Sequence, residues 1–185
     1  MPRLIPADFN LEEKLVNLNP VAKVHSGGRT RRWSALVVVG DATAGVVGVG
    51  LGKATEVSDA ISKAAEEARK GLLQVRRLGN TIPHEVRLRY NGAEVLLRPA
   101  SPGTGVIAGG AIRAVVEAAG IRDLLSKSLG SPNPINIARA TLEALRSLRT
   151  AREVAEIRGK APSDFAPAWQ LAGLQEAAPS AEEKA

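Results

Sequence analysis

The chain has 185 residues, 44% of them apolar, no cysteine, and two histidines, His25 and His84, far apart in sequence. It can bury one sizeable core or two small ones; disulfide scaffolds, thiol catalysis and cysteine-ligated metals are excluded, and neither histidine belongs to a metal-spaced cluster. Residues 1–160 hold 24 Lys and Arg against 15 Asp and Glu, a net of +9, whereas residues 161–185 carry a net of −3, so the expected partner is a polyanion, nucleic acid before membrane.

Residues 1–10 contain two prolines and no long apolar run, which predicts a flexible arm rather than a signal peptide and a cytosolic protein. An extended segment follows over 11–24. From Lys14 to Gly40 there is no acidic side chain, and His25-Ser-Gly-Gly-Arg-Thr-Arg-Arg-Trp33 reads as a glycine-tipped loop leading into a strand over 34–40, where Val37, Val38 and Val39 are β-branched. Residues 41–45 form a turn. In Val46-Val-Gly-Val-Gly-Leu-Gly52 the glycines leave one strand face nearly bare, open to a helix of the same domain or to a nucleic-acid backbone. Val57, Ile61, Ala64, Ala68 and Leu72 then recur at helical spacing and predict a helix packed on the preceding sheet.

Residues 76–83 read as a linker between a first domain, 11–75, and a second, 84–158. The alternation in Glu85-Val-Arg-Leu-Arg-Tyr90 predicts a half-buried strand with Arg87 and Arg89 outward. Asn91-Gly92 is a hairpin turn signal, with a return strand over 93–98. Pro99, Pro102, Gly103 and Gly105 forbid regular structure before a helix over 111–119, and Gly109 and Gly110 admit close approach at its start. The glycine spacing matches neither a Walker loop nor a dinucleotide fingerprint, so the loop is expected to pack on protein or RNA. Residues 121–128 suit a short helix followed by a strand. Asn133-Pro134 caps and starts a further helix whose buried stripe is Ile137, Thr141, Leu145 and Leu148. From 159 to 185 the Ala/Pro/Ser/Glu-rich text predicts a disordered tail.

Pro99-Ala-Ser-Pro-Gly-Thr-Gly-Val-Ile-Ala-Gly-Gly-Ala-Ile-Arg-Ala-Val-Val-Glu-Ala-Ala-Gly120 with Gly130-Ser-Pro-Asn-Pro-Ile-Asn-Ile-Ala-Arg-Ala-Thr141 closely resembles the carboxy-terminal signature of the bacterial small-subunit ribosomal protein S-five family. Val21-Ala-Lys-Val-His-Ser-Gly-Gly-Arg29, Val38-Val-Gly-Asp41 and Val47-Gly-Val-Gly-Leu-Gly-Lys-Ala54 resemble its amino-terminal motifs. The resemblance implies an α+β protein: an amino-terminal domain similar to double-stranded-RNA-binding modules and a carboxy-terminal α+β domain of the S-five domain-two type. It implies a structural, non-enzymatic component of the small ribosomal subunit without cofactor, metal, membrane or small-molecule substrate. Implied partners are small-subunit ribosomal RNA, the neighbouring ribosomal proteins S-four and S-eight, and messenger RNA near its entry path, with effects on assembly, decoding accuracy and spectinomycin response.

Carried onto this sequence, Ser26, Gly27, Gly28 and Arg29 form the loop implied to reach into RNA, and Gly103, Gly105 and Arg113 lie in the region implied to face S-four; Lys23, His25, Arg31, Arg32 and Lys53 are read as RNA-binding beside the loop, Arg31 and Arg32 in a stretch more basic than the family's usual apolar and aromatic run, and Thr104, Gly109 and Gly110 as protein-facing beside the second group. The cations among the RNA-binding residues would bind phosphate, and the bare sheet face and second domain would add further contacts.

Overall fold

The structure, a computed structural model, describes residues 6–160. The two longest strands, β1 (Glu12–His25) and β2 (Gly28–Asp41), pair antiparallel from end to end, with one irregularity between Leu15 and Asn17. β3 (Val46–Ala54) pairs with β2, and a two-residue strand, β4 (Leu73–Gln74), closes the sheet in the order β1-β2-β3-β4. The basic segment expected as a loop is therefore strand almost to its tip. Its side chains carry no apolar alternation, and its regularity comes from the backbone ladder to β1, which a local pattern does not register.

The middle of β2 reads as a continuous apolar run, Ala35 to Val39, and every one of these residues is buried. Such a run requires cover on both sheet faces, and both are covered. Ala35, Val37 and Val39 meet helix α1 (Val57–Lys70), while Leu36, Val38 and Val47 join a core contributed largely by the second half of the chain. The buried stripe of α1 is Ala60, Ala64, Ala65 and Ala68; Val57 and Ile61 are only half-buried, and Leu72 lies beyond the helix end. Small side chains face the sheet because the sheet is bare beneath them. A Cβ built on Gly48, Gly50 or Gly52 would meet the carbonyl oxygens of Ala68, Ala64 and Ala60 at 2.3, 2.0 and 2.1 Å. This face belongs to α1, so it is not among the RNA contacts expected of it.

The second sheet has the order β5-β6-β8-β7, from β5 (Val86–Tyr90), β6 (Ala93–Pro99), β7 (Val106–Ile107) and β8 (Leu124–Gly130). Asn91 takes the positive φ (51°) that the β5–β6 turn needs. Residues 121–123 are not helical, and β8 runs two residues past the strand end expected. Helices α2 (Gly110–Ala118) and α3 (Pro134–Ser147) cover one face of this sheet and pack their other sides on the first sheet, burying Ile112, Val115, Val116, Ala144 and Leu145. Asn133 caps α3, its side chain accepting the Ile135 N–H at 3.1 Å. Helix α4 (Ala151–Arg158), not foreseen, begins with a reciprocal capping box between Thr150 and Glu153. The layers run α1, first sheet, α2 with α3, second sheet. The tail expected from 159 lies, beyond Lys160, outside the described residues; of the expected arm, residues 6–8 form a short 3-10 turn, and the Asn10 N–H bonds Asp41 Oδ2 at 3.1 Å.

The segment expected as a linker is packed rather than free. Thr81 and Ile82 are buried, and the Arg77 guanidinium donates to Ala42 O at 2.7 Å, Thr43 O at 2.9 Å and Gly120 O at 3.4 Å. One side chain thus ties the β2–β3 turn to the end of α2, where Gly120 (φ 75°) lets the chain pass so close that a Cβ would lie 2.1 Å from Ala42 O. Truncating Arg77 to alanine removes charge-assisted bonds worth about 1.5–3 kcal/mol each when unreplaced, though water recovers part of that at this half-exposed site. A net loss of about 1–3 kcal/mol in urea denaturation is expected, with Arg77→Lys recovering less than half because an ammonium cannot span three carbonyls.

In the same turn the Asp41 carboxylate accepts the N–H groups of Thr43 (2.8 Å), Ala44 (3.1 Å) and Asn10 (3.1 Å). The Ala44 bond is the largest influence on it. With the Thr43 and Asn10 bonds and the Arg77 charge, and against an opposing effect of burial, it holds the carboxyl below its ordinary value of 3.8. A carboxyl whose folded pKa lies below its unfolded one stabilises the fold fully above the unfolded value and ceases to do so as pH falls through the folded one. Stability should therefore fall as pH drops below about 4, and Asp41→Asn should lose less than the unsubstituted protein over that range in a pH series of thermal melts.

Candidate nucleic-acid interface

From residue 19 to residue 32 every residue of the β1–β2 hairpin is exposed. Beyond the pair Pro20↔Trp33, the last one flanked by β3, the two strands leave the body of the molecule and continue through five more pairs to His25↔Gly28, a projection of about 17 Å at the usual rise of about 3.4 Å per residue. Ser26 and Gly27 make the turn. Gly28 has φ 134°, a conformation essentially reserved for glycine, with nothing within 4 Å of where a Cβ would stand. His25 Nε2 bonds Thr30 Oγ1 at 2.9 Å across the ribbon, bracing the tip.

Register decides how the cations are presented. Cross-strand partners share a face and neighbours along a strand alternate. Arg29 and Arg31, opposite Val24 and Ala22, lie on the α1 side. Lys23 and Arg32, opposite Thr30 and Val21, lie on the other side with His25. Lys53 pairs with Ser34 and so extends that second face onto β3. The five cations therefore form a ribbon charged on both faces, not a one-sided patch. Among the described residues none of them has a carboxylate within 4 Å; the ion pairs found, such as Lys14 with Glu117 and Arg69 with Glu13 (2.6 Å), lie elsewhere. Val24, 69% exposed, adds an apolar contact at the tip. Trp33 is half-buried against the cluster beneath α1 and stands between Pro20 and Ala54 in the ladder, so its ring belongs to the core edge.

A two-faced cationic ribbon is suited to insertion between phosphate backbones, which neutralise charges on either side. Among the described residues no cluster of His, Asp or Glu could hold a metal ion, and no helix is long and apolar enough to cross a membrane.

The second group of expected residues lies apart from the hairpin. In the loop before α2, Thr104 Oγ1 donates to Ser101 O at 2.7 Å, and the Gly105 N–H donates to Asp123 Oδ1 at 2.9 Å. Asp123 is buried and is the residue that sequence reasoning missed: it anchors the loop from beneath. Gly103 (φ 88°) and Gly105 (φ 76°) take turn conformations that require glycine, and Gly109 and Gly110 are exposed with open space where a Cβ would be. Arg113 Nη2 reaches back to Val106 O at 3.3 Å. These residues form an exposed, conformationally fixed ledge with little side-chain relief, a form suited to close backbone approach by another macromolecule.

Comparison with protein families agrees with both halves. Residues 11–76 match the model described as Ribosomal protein S5, N-terminal domain, and residues 88–158 match Ribosomal protein S5, C-terminal domain, in that order along the chain. The chain therefore belongs to the ribosomal protein S5 family, structural and non-enzymatic constituents of the small ribosomal subunit that bind its RNA.

Proposed function

We propose that the β1–β2 hairpin is the element that holds ribosomal RNA, with Lys23, Arg29, Arg31, Arg32 and Lys53 on phosphates and His25, Ser26, Gly27 and Gly28 shaping the tip. The observation that carries this reading is the pairing register, which displays unneutralised cations on both faces of an exposed ribbon. The glycine ledge of Gly103, Thr104, Gly105, Gly109 and Gly110, with Arg113, faces a neighbouring protein, S-four by the family resemblance. S-eight is the other expected neighbour. Through these contacts the chain contributes to subunit assembly, to the messenger RNA entry path and to decoding accuracy, and the hairpin tip bears on spectinomycin response.

The test is Gly28→Asp. It adds a negative charge among phosphates and forces a side chain into a φ of 134°, which costs about 1–3 kcal/mol of strain. Affinity for small-subunit RNA at moderate salt should fall at least about tenfold, and protection of the RNA in footprinting should shrink. Gly28→Ala shares the strain without the charge and should fall between the two. A footprint unchanged by Gly28→Asp would remove the hairpin from the RNA contact.

A further inference from the structure

The two histidines differ in their freedom to take a proton. His84 has both ring nitrogens committed: Nδ1 donates to the Glu85 carbonyl at 2.8 Å, and Nε2 accepts the Arg149 N–H at 3.1 Å. A proton on Nε2 would cost that second bond. His25 is exposed, and its one hydrogen bond among the described residues joins Nε2 to Thr30 Oγ1 at 2.9 Å. A hydroxyl donates to a bare ring nitrogen and accepts from a protonated one, so this brace survives in either state. Histidine is the side chain that ordinarily changes charge between pH 5 and 8.

Register supplies the second observation. Positions on one face of the ribbon recur at every second pair, about 7 Å apart. On the face turned away from α1, four successive positions from base to tip each hold one basic side chain. Lys53 stands at the level of Asn19↔Ser34, Arg32 opposite Val21, Lys23 opposite Thr30, and His25 opposite Gly28. The charged groups around the ring are thus Lys23 and Arg32 on its own face and Arg29 and Arg31 on the reverse. No Asp or Glu lies between Lys14 and Gly40 in the sequence, and the carboxylates paired near β1, Glu117 with Lys14 and Glu13 with Arg69, are at the opposite end of the strand.

We propose that His25 is the fourth phosphate ligand of this row and binds in its protonated form, so that the hairpin takes up a proton as it takes up RNA. The inference rests on the RNA-binding reading of the hairpin and adds a pH dependence to it. A phosphate drawn alongside Lys23 stands about one 7 Å step from the ring and brings the negative charge that favours an imidazolium. Nε2 keeps its bond to Thr30, and Nδ1, which has no partner among the described residues, becomes the N–H that donates to a phosphate oxygen.

The experiment measures binding of the full chain to transcribed small-subunit ribosomal RNA between about pH 5.5 and pH 8, the range in which histidine changes charge, at about 100 mM salt. One further neutralised phosphate tightens binding about five- to tenfold at that salt and steepens the slope of log K against log salt by about 0.7–0.9. Both changes are expected of the unsubstituted chain on going from the alkaline to the acidic end of the range. His25→Gln can keep a bond to Thr30 but carries no charge, and it should bind at every pH as the unsubstituted chain does at the alkaline end. His25→Lys is charged throughout and should bind at the alkaline end nearly as the unsubstituted chain does at the acidic end. Titration of RNA bases and of His84 is common to all three chains and cancels in the comparison. A level affinity of the unsubstituted chain across the range overturns the proposal, as does a pH curve shared by either variant. The chain with Lys23, Arg29, Arg31 and Arg32 all changed to alanine separates the two readings: if it binds RNA weakly, the RNA-binding reading stands without the proton, and if it binds undiminished, both are overturned.

Discussion

Replacing Gly50 with alanine is expected to destabilise the protein by at least about 3 kcal/mol, the upper part of the range for overpacked interiors. The new Cβ would lie 2.0 Å from Ala64 O and 2.5 Å from Ala68 N, against backbone that cannot swing aside as a side chain does. α1 would have to lift by about an ångström to restore ordinary contact, and the lift is shared by Ala60, Ala64, Ala65 and Ala68, all of which lose packing at once. Thermal denaturation should drop by roughly 6–12 °C for a chain of this size, with a parallel fall in the urea midpoint. Gly110→Ala is the control. Its Cβ meets nothing within 4 Å and it occupies the first turn of a helix, so it should be neutral or stabilise by up to about 1 kcal/mol. Equal stabilities of the two variants would mean that the closeness of α1 does not set the requirement at 48, 50 and 52.

The same strand shows how far the sequence could be read. Three glycines at alternate positions announced an approach of backbone on one face, and the pattern could not distinguish α1 from RNA. The distinction lay in the helix, where alanines at 60, 64 and 68 repeat at the spacing needed to stand over those glycines. The uninterrupted run from Ala35 to Val39 carried the further signal that both faces of β2 are buried, and hence that the second half of the chain packs on the first instead of hanging from a linker. Strong local chemistry was legible: the Asn91-Gly92 turn, the Asn133-Pro134 helix start, the outward Arg87 and Arg89. Thr150 and Glu153 spell a capping box that marks the start of α4 equally well. β4 and β7, two residues each, have no period to detect and exist only because a neighbouring strand offers its edge. For the candidate site, the cations and glycines were legible as residue types, but their arrangement on two faces of a ribbon depends on pairing register across 14-residue strands. The anchoring role of Asp123 depends on burial, which its own neighbourhood in the sequence does not reveal.

Changing Lys23, Arg29, Arg31 and Arg32 together to alanine should abolish most of the salt sensitivity of RNA binding. Each cation that neutralises a phosphate releases condensed counterions, contributing about −0.9 to the slope of log K against log salt on a duplex. Four of them contribute about −3 to −4, equivalent to roughly a hundredfold in affinity between 50 and 200 mM salt. The variant's slope should be shallower by that amount, and the two binding curves should converge as salt rises. The fold is expected to survive, because all four side chains are exposed and none forms an ion pair among the described residues. Pairwise variants test the two-faced arrangement directly. Arg29→Ala with Arg31→Ala strips the α1 side, and Lys23→Ala with Arg32→Ala strips the other. If the ribbon lies between phosphate backbones, each pair should remove about half of the slope. If only one face meets RNA, one pair should remove nearly all of it and the other almost none, and the insertion geometry would then be wrong even though the hairpin still bound.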